Sequence, residues 1–170
     1  TNMIGFNFRM GEIEAAIGRC QLRKGPELIA ARKRNVAYLE SSLSRLPGLE
    51  MPTTLPADDH VYYVHAMKYD AVTTGVPLKL MADALKAELP VTELREGEGP
   101  LVRAGYVKPI YLLGMFQSET GYGSVGCPFR CPHYQGQVDY QAGLCPVVED
   151  LNDRLLIHEF MRPPMTEADL

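Results

Sequence analysis

No apolar run among the 170 residues approaches the roughly 20 that a bilayer-spanning helix needs, so no membrane partner is expected. There is no basic-then-apolar leader and no Asn-x-Ser/Thr acceptor, and the expected location is cytoplasmic. Long runs of one charge are missing too. Seventeen basic residues stand against twenty-one acidic ones, a net charge of −4. With no basic face to hold a phosphate backbone, a nucleic-acid partner is not expected. The chain also lacks the short signatures of a self-contained hydrolase. It has no Gly-x-Ser-x-Gly elbow and no His-Glu-x-x-His helix. Chemistry performed here therefore depends in part on residues elsewhere.

What is present suits a globular domain. Hydrophobic residues make up 46% and charged residues 22%, enough apolar material for one core and too little net charge for disorder. The first residue is Thr1 rather than Met, and "MTEADL" offers Thr166 as an N-cap with acidic residues behind it before stopping at Leu170. The expectation is a piece of a longer polypeptide.

Residues 11–24 place Ile13, Ala16, Ile17 and Cys20 on one helical face, which reads Cys20 as a small core residue. Gly25-Pro26 breaks or bends that helix, and a second one follows from about Glu27 to Leu46 with Ile29, Val36, Leu39, Leu43 and Leu46 as its stripe. "LEMP" predicts a short strand, and "HVYYVHAMKYD" over 60–70 a longer one, rich in β-branched and aromatic residues. Residues 76–89 predict a helix with Leu78, Met81, Leu85 and Leu89 inward, and "VTEL" a further strand. From Arg95 to Gly143 the chain is rich in Gly, Pro and Tyr without periodicity, as functional or interface loops are. "CPVVEDLNDRLL" then predicts a helix, with Pro146 suited to its first turn, running into the strand "LLIHEF". The order is that of an α+β fold with a small, mainly antiparallel sheet.

Two constellations invite a cofactor or a metal. Gly121-x-Gly123-x-x-Gly126 has the glycine spacing of a dinucleotide loop but follows no strand and opens no helix, because prolines come next. A loop is the preferred reading. Cys127, Cys131, His133 and Cys145 are ligand types that zinc accepts. Their Cys-x3-Cys-x-His spacing is not that of a zinc knuckle, so the favoured reading is loop and core thiols with no metal. His65 and His158 read as packed, hydrogen-bonded strand residues.

The segment "GFNFRMGEIEAAIGRCQLRK" closely resembles the DegT/StrS-type aminotransferases. The resemblance rests on Gly5, Phe6, Asn7, Phe8, Arg9 and Met10, followed by Glu12, Glu14, Ala15, Ala16, Ile17, Gly18, Gln21 and Leu22. It continues through "HVYYVHAMKYD" and "LCPVVEDLNDRLL", with 95–143 the least similar part. It implies a fold-type I enzyme using pyridoxal 5'-phosphate, with this chain as its C-terminal part. Residues 1–24 would then be the tail of the large cofactor-binding domain and 25–170 the small domain, truncated at its end.

The resemblance also implies a homodimer with shared active sites. Asn7 would donate its amide to the cofactor phosphate of the neighbouring subunit, and Arg9 would add a cation beside it or support the loop. The residue-level alternatives are an ion pair of Arg9 with Glu12 or Glu14, and a turn amide without a ligand for Asn7. None of Lys24, Lys33, Lys68, Lys79, Lys86 or Lys108 lies in the family's Schiff-base context, so the chain alone would be inactive. Where members carry His-Tyr-x-x-Pro-Leu-His along the sugar pocket, this chain has "GYVKPIYLLGMF". Tyr106, Lys108 and Tyr111 are the implied substrate-side residues, and the missing histidines point from nucleotide sugars toward cyclitols. The expected reaction moves an amino group from glutamate or glutamine to a keto-sugar or cyclitol. Two alternatives remain: a pyridoxamine-phosphate-dependent sugar dehydratase of the same family, and a metal-stapled binding module without catalysis.

Overall fold

A computed structural model describes residues 9–89, 102–119, 121, 126–130, 132 and 134–170. Its first element shows how local propensity adds up. Helix α1, Glu12–Leu43, runs for 32 residues without a break, which at 1.5 Å per residue is about 48 Å. Glu12 and Glu14 in its first turn suit the positive end of the helix dipole. The expected division at Gly25-Pro26 does not occur, since Pro26 lies inside the helix. Proline costs about 3 kcal/mol in a helix interior, but Ala, Glu, Gln, Leu and Arg fill both flanks and keep propagation favourable.

The sheet has four strands in the order β1-β2-β4-β3: β1 Leu49–Glu50, β2 His65–Tyr69, β3 Val102–Ala104 and β4 Leu155–His158. Every pairing is antiparallel, with β2 and β4 central and His65 opposite His158. The antiparallel α+β expectation holds. The strand expected over 60–70 shrinks to five residues, and β3 arises inside the segment expected to be irregular. The predicted "VTEL" strand lies outside the described residues.

Side-chain alternation puts His65, Met67 and Tyr69 of β2 on one face, buried, while Ala66 and Lys68 are half-buried. The core gathers there. Met67, Tyr69, Val102 and Leu156 pack with Leu78 and Ala82 of helix α3, Leu78–Glu88. Leu43 from the end of α1 adds to the cluster, as do Met81, Leu85 and Leu89, three of the four inward positions read from the sequence. Between β2 and α3 lies one turn of helix, α2, Ala71–Thr74. The Asp70 side chain caps it, accepting from Val72 N at 2.9 Å and Thr73 Oγ1 at 2.6 Å. A short helix α4, Gly114–Gln117, and helix α5, Pro146–Arg154, complete the fold. Among the described residues no helix is long and apolar enough to cross a membrane.

Helix α1 meets the rest of the chain through its second half. Arg32 and Asn35 bond to backbone carbonyls, Lys33 pairs with Asp59, and Glu40 bonds to His65. Its first half is exposed instead: Ile13, Ile17 and Leu22 are 57–78% accessible, as is Met10 just ahead of it, and Cys20 is exposed as well. The reading of Cys20 as a core residue is thus corrected. The apolar stripe is real, but nothing among the described residues covers it.

Asn35 is buried, and its Nδ2 donates to Met161 O at 3.1 Å and Met165 O at 2.8 Å. Asn35→Ala leaves both carbonyls without that donor, which costs about 1–3 kcal/mol. Urea unfolding should show a lower midpoint with an unchanged slope.

Candidate functional site

Of the residues singled out in the sequence, Asn7 lies outside the described ones. Arg9 is described, exposed, two residues before the Gly11 N-cap of α1. The Glu14 carboxylate is folded back against Gly11, where a Cβ would collide with it. Helical rise puts Arg9 roughly 40 Å along α1 from Asn35, where the helix meets the C-terminal segment.

Tyr106, Lys108 and Tyr111 occupy one loop, and α5 shapes it. Gly105 turns the chain out of β3 with φ +69 and donates its N–H to Leu155 O at 2.7 Å. A Cβ at that position would sit 3.2 Å from Asn152 O, so a side chain there is strained by the backbone conformation and crowded against α5. Asn152 Oδ1 then accepts from Tyr106 N at 3.3 Å, and the Arg103 guanidinium lies 5.8 Å from the centre of the Tyr106 ring. Further along, the Tyr111 hydroxyl donates to Glu149, which also accepts from Gly143 N at 2.7 Å. Gln117 Nε2 donates to the carbonyls of Tyr111 and Tyr140 at 2.8 and 2.6 Å. Loss of hydration, reinforced by the Glu149 carboxylate, pushes the Tyr111 phenol up to about 12. The same bond, with the Gly143 amide, holds Glu149 below the usual carboxylate range. Lys108 is exposed between the two tyrosines. Tyr106, Lys108 and Tyr111 thus share one loop, tied to Asn152 and Glu149 of α5.

The two motifs with competing readings fare differently. A Cβ on Gly121 would collide with the carbonyl of Cys127, so close backbone packing accounts for that glycine without a nucleotide. Gly123 lies outside the described residues, as do Cys131 and His133. Cys127 and Cys145 are half-buried, and among the described residues no three candidate ligands come together.

No spacing in the sequence signals that His65 and His158 touch. They sit on opposed strands, with His65 Nδ1 2.7 Å from His158 Nε2 and His65 Nε2 3.0 Å from Glu40 Oε1. The carboxylate dictates the tautomers. Glu40 accepts from His65 Nε2–H, which leaves His65 Nδ1 as acceptor, so His158 must donate from Nε2. His158 Nδ1 is then a bare acceptor, buried and without a partner among the described residues. Burial, aided by the neighbouring His65, pushes His158 down to about 3. Burial also lowers His65, against the opposing pull of Glu40. Burial of the two imidazoles, 0% and 6% accessible, thus disfavours their charged forms and holds His158 neutral.

Both folded values lie below the ordinary 6.5, so the unfolded chain takes up protons first as the pH drops. For His158 the contribution to stability is complete above about 6.5 and is lost as the pH falls from there toward about 3, by up to about 1.4 kcal/mol per unit, and the lowered His65 acts in the same direction. Urea midpoints from pH 8 to 4.5 should fall more steeply for the wild type than for His158→Leu. Equal slopes would mean that His158 is not held neutral in the fold.

The model of the DegT/DnrJ/EryC1/StrS aminotransferase family matches residues 1–130. GDP-perosamine synthase of Caulobacter vibrioides is 37% identical over 67 residues, 39% of this chain and 18% of that protein. L-glutamine:2-deoxy-scyllo-inosose aminotransferase of Streptoalloteichus tenebrarius is 35% identical over 89 residues, 51% of this chain and 21% of that protein. The crystal structure of a DegT DnrJ EryC1 StrS aminotransferase from Brucella abortus shares the fold, with a TM-score of 0.57 and 22% identity over 99% of this chain and 37% of its own. The chain thus spans about a fifth of the relatives' lengths and just over a third of that structure. Matched along most of its length by the family's model, the chain belongs to the DegT/DnrJ/EryC1/StrS aminotransferase family.

Proposed function

We propose that the full-length protein is a pyridoxal-phosphate-dependent aminotransferase that moves an amino group from glutamate or glutamine to a keto-sugar or cyclitol. The observation that carries this is the family match over 1–130, which contains the Asn7–Arg9 segment and the helix behind it. In this reading residues 1–24 end the large domain and 25–170 form the small one.

The residues present fit one end of the cofactor. Arg9, exposed at the head of α1, suits a phosphate dianion, and Asn7 would add a neutral donor. The covalent end is not provided for. Lys33, Lys68 and Lys86 pair with Asp59, Glu50 and Asp83, while Lys24, Lys79 and Lys108 are exposed. A lysine that must give up its proton needs a desolvated site, and none of the six has one. This supports a reading in which the lysine lies elsewhere in the full-length protein. Pyridoxal phosphate, when bound, supplies the electron sink for the carbon that carries the amino group.

The residues of this chain bind and orient. Lys108 offers an ammonium donor to a ketone or hydroxyl oxygen, and Tyr106 lends a ring face to the substrate. Tyr111, its proton committed to Glu149, holds the loop that presents them. A homodimer is part of the reading: the run of α1 between Arg9 and the sheet, with Met10, Ile13 and Ile17 exposed, leaves the head of α1 to a neighbouring subunit. Between substrates, the match to an L-glutamine:2-deoxy-scyllo-inosose aminotransferase supports a cyclitol ketone with L-glutamine as donor. The match to a GDP-perosamine synthase supports a nucleotide sugar.

Titration of the full-length protein with pyridoxal phosphate should develop the visible absorption of the bound cofactor, and the 170-residue chain should not. If no absorption develops in the full-length protein, the proposal fails; turnover with loss of water and no amination would make it a dehydratase instead. Arg9→Ala should weaken cofactor affinity about tenfold, the loss of one charge-assisted contact. Lys108→Ala should raise KM for the ketone about tenfold with a smaller effect on kcat, as loss of uniform binding does.

A further inference from the structure

An exposed lysine meets a substrate oxygen in one place only if the loop beneath it is fixed. Two residues of α5 fix the loop of Lys108, one on each side of it. Asn152 Oδ1 accepts from Tyr106 N at 3.3 Å, and Glu149 accepts from the Tyr111 hydroxyl. They stand three positions apart and are therefore neighbours on one face of the helix. The tie to Glu149 is the stronger, because its acceptor is ionised. The Tyr111 hydroxyl and the Gly143 amide hold that carboxyl below the usual carboxylate range.

Glu149 reaches beyond its own helix. Helix α5 begins at Pro146, yet the carboxylate extends back past that point to Gly143, whose N donates to Oε1 at 2.7 Å. The same Oε1 receives the Tyr111 hydroxyl, so one oxygen ties together the Tyr111 segment, the Gly143 segment and α5. Gln117, at the end of α4, joins the same two segments a second time. Its Nε2 donates to Tyr111 O at 2.8 Å and to Tyr140 O at 2.6 Å. Tyr111 is therefore gripped by an acceptor at its hydroxyl and by a donor at its carbonyl. Tyr140 is fixed by its ring as well, 5.3 Å from Phe116 and 6.1 Å from Phe129. The stretch from Tyr140 to Gly143 thus backs the Lys108 loop, and Glu149 is the point where backing, loop and helix meet. Removing its carboxylate releases both donors at once.

We propose that Glu149 is a positioning residue of the ketone site, acting through Tyr111 to set where the Lys108 ammonium meets the substrate; this rests on the reading of Lys108 as a substrate contact. Gln117 is its counterpart on the backbone of Tyr111. A carboxylate that merely stabilised the fold would change the amount of active protein and leave KM alone. A positioning residue changes KM, and only as far as the group it positions contributes.

The full-length protein is assayed with L-glutamine as donor. The ketone is a cyclitol ketone or a nucleotide-linked keto-sugar, whichever the wild type aminates faster. Glu149→Ala should raise KM for the ketone about tenfold, as Lys108→Ala does, with a smaller effect on kcat. Glu149→Gln keeps an oxygen able to accept both donors and should raise KM less than about threefold. Asp150→Asn, whose carboxylate pairs with Arg154 on the same helix, should leave KM unchanged. The double variant Lys108→Ala/Glu149→Ala should lie within about twofold of either single one, because the two act as a unit. In parallel, amide hydrogen exchange over 105–113 and 140–145 should quicken in Glu149→Ala and stay near wild type in Glu149→Gln. If Glu149→Ala fails to fold, Tyr111→Phe, which removes the hydroxyl alone, takes its place in both measurements. A KM that Lys108→Ala raises and Glu149→Ala does not overturns the proposal, as do effects that multiply in the double variant. Unchanged exchange over 105–113 overturns it whatever the turnover. A wild type with no cofactor absorption, or a Lys108→Ala protein with unchanged KM, marks instead the failure of the functional reading beneath it.

Discussion

The pairing of β2 with β4 is the constraint on which every other placement in this chain depends. It brings His65 opposite His158, 93 positions later, so most of the chain is enclosed in the loop it closes. Closing so long a loop costs entropy before any contact repays it. The return comes from the packed face: Met67 against Leu156, with Tyr69 and Val102 beside them. Once that pair is formed, β1 and β3 add at its two edges and α3 has a surface to lie on. The loop of Tyr106, Lys108 and Tyr111 inherits its position from the same pair. It leaves β3 at Gly105, which hydrogen-bonds to Leu155 at the head of β4.

At the centre of this pairing the protein keeps a polar chain rather than an apolar one. Glu40, His65 and His158 pass hydrogen bonds in a single direction set by the carboxylate. The arrangement ties α1 to both central strands at one point, which apolar packing alone would do without fixing rotation. Its cost is a buried imidazole nitrogen without a donor among the described residues. Just past the end of β4, Glu159 is buried between Arg103 and Arg162. The end of β4 is therefore pinned by both ionic and polar contacts, and the loop carrying Tyr106 begins next to them.

The elements that could be read from the sequence are those whose signal is local. Leu78, Met81, Leu85 and Leu89 recur at helical spacing, and α3 lies where they place it. The antiparallel α+β character followed from the order of short apolar runs. The joining of two expected helices into α1 could not be read, because the penalty at Pro26 is local whereas the balance is struck over many flanking residues. The stripe of Ile13, Ile17 and Cys20 was legible as a pattern, but a pattern does not say what covers it. Strand β3 is three residues long and exists only because β4 offers it an edge. The histidine pair needed the register of two distant strands, which no spacing within either strand encodes. On the site side, the motif around Asn7 and Arg9 identified the family. The bond from Tyr111 to Glu149 joins residues 38 apart and emerged only from the fold.

Pro26 gives α1 a mechanical character beyond its length. A proline has no N–H, so the carbonyl of Leu22 lacks the partner that every interior helical carbonyl otherwise finds four residues on. The missing rung falls between the half of α1 that is pinned to the sheet by Arg32, Asn35 and Glu40 and the half that carries Arg9. A rod with one rung removed is stiff along its length and most compliant at the gap. A tilt of the head of α1 would thus concentrate at residues 22–26, while the sheet and the loop of Tyr106 keep their shape.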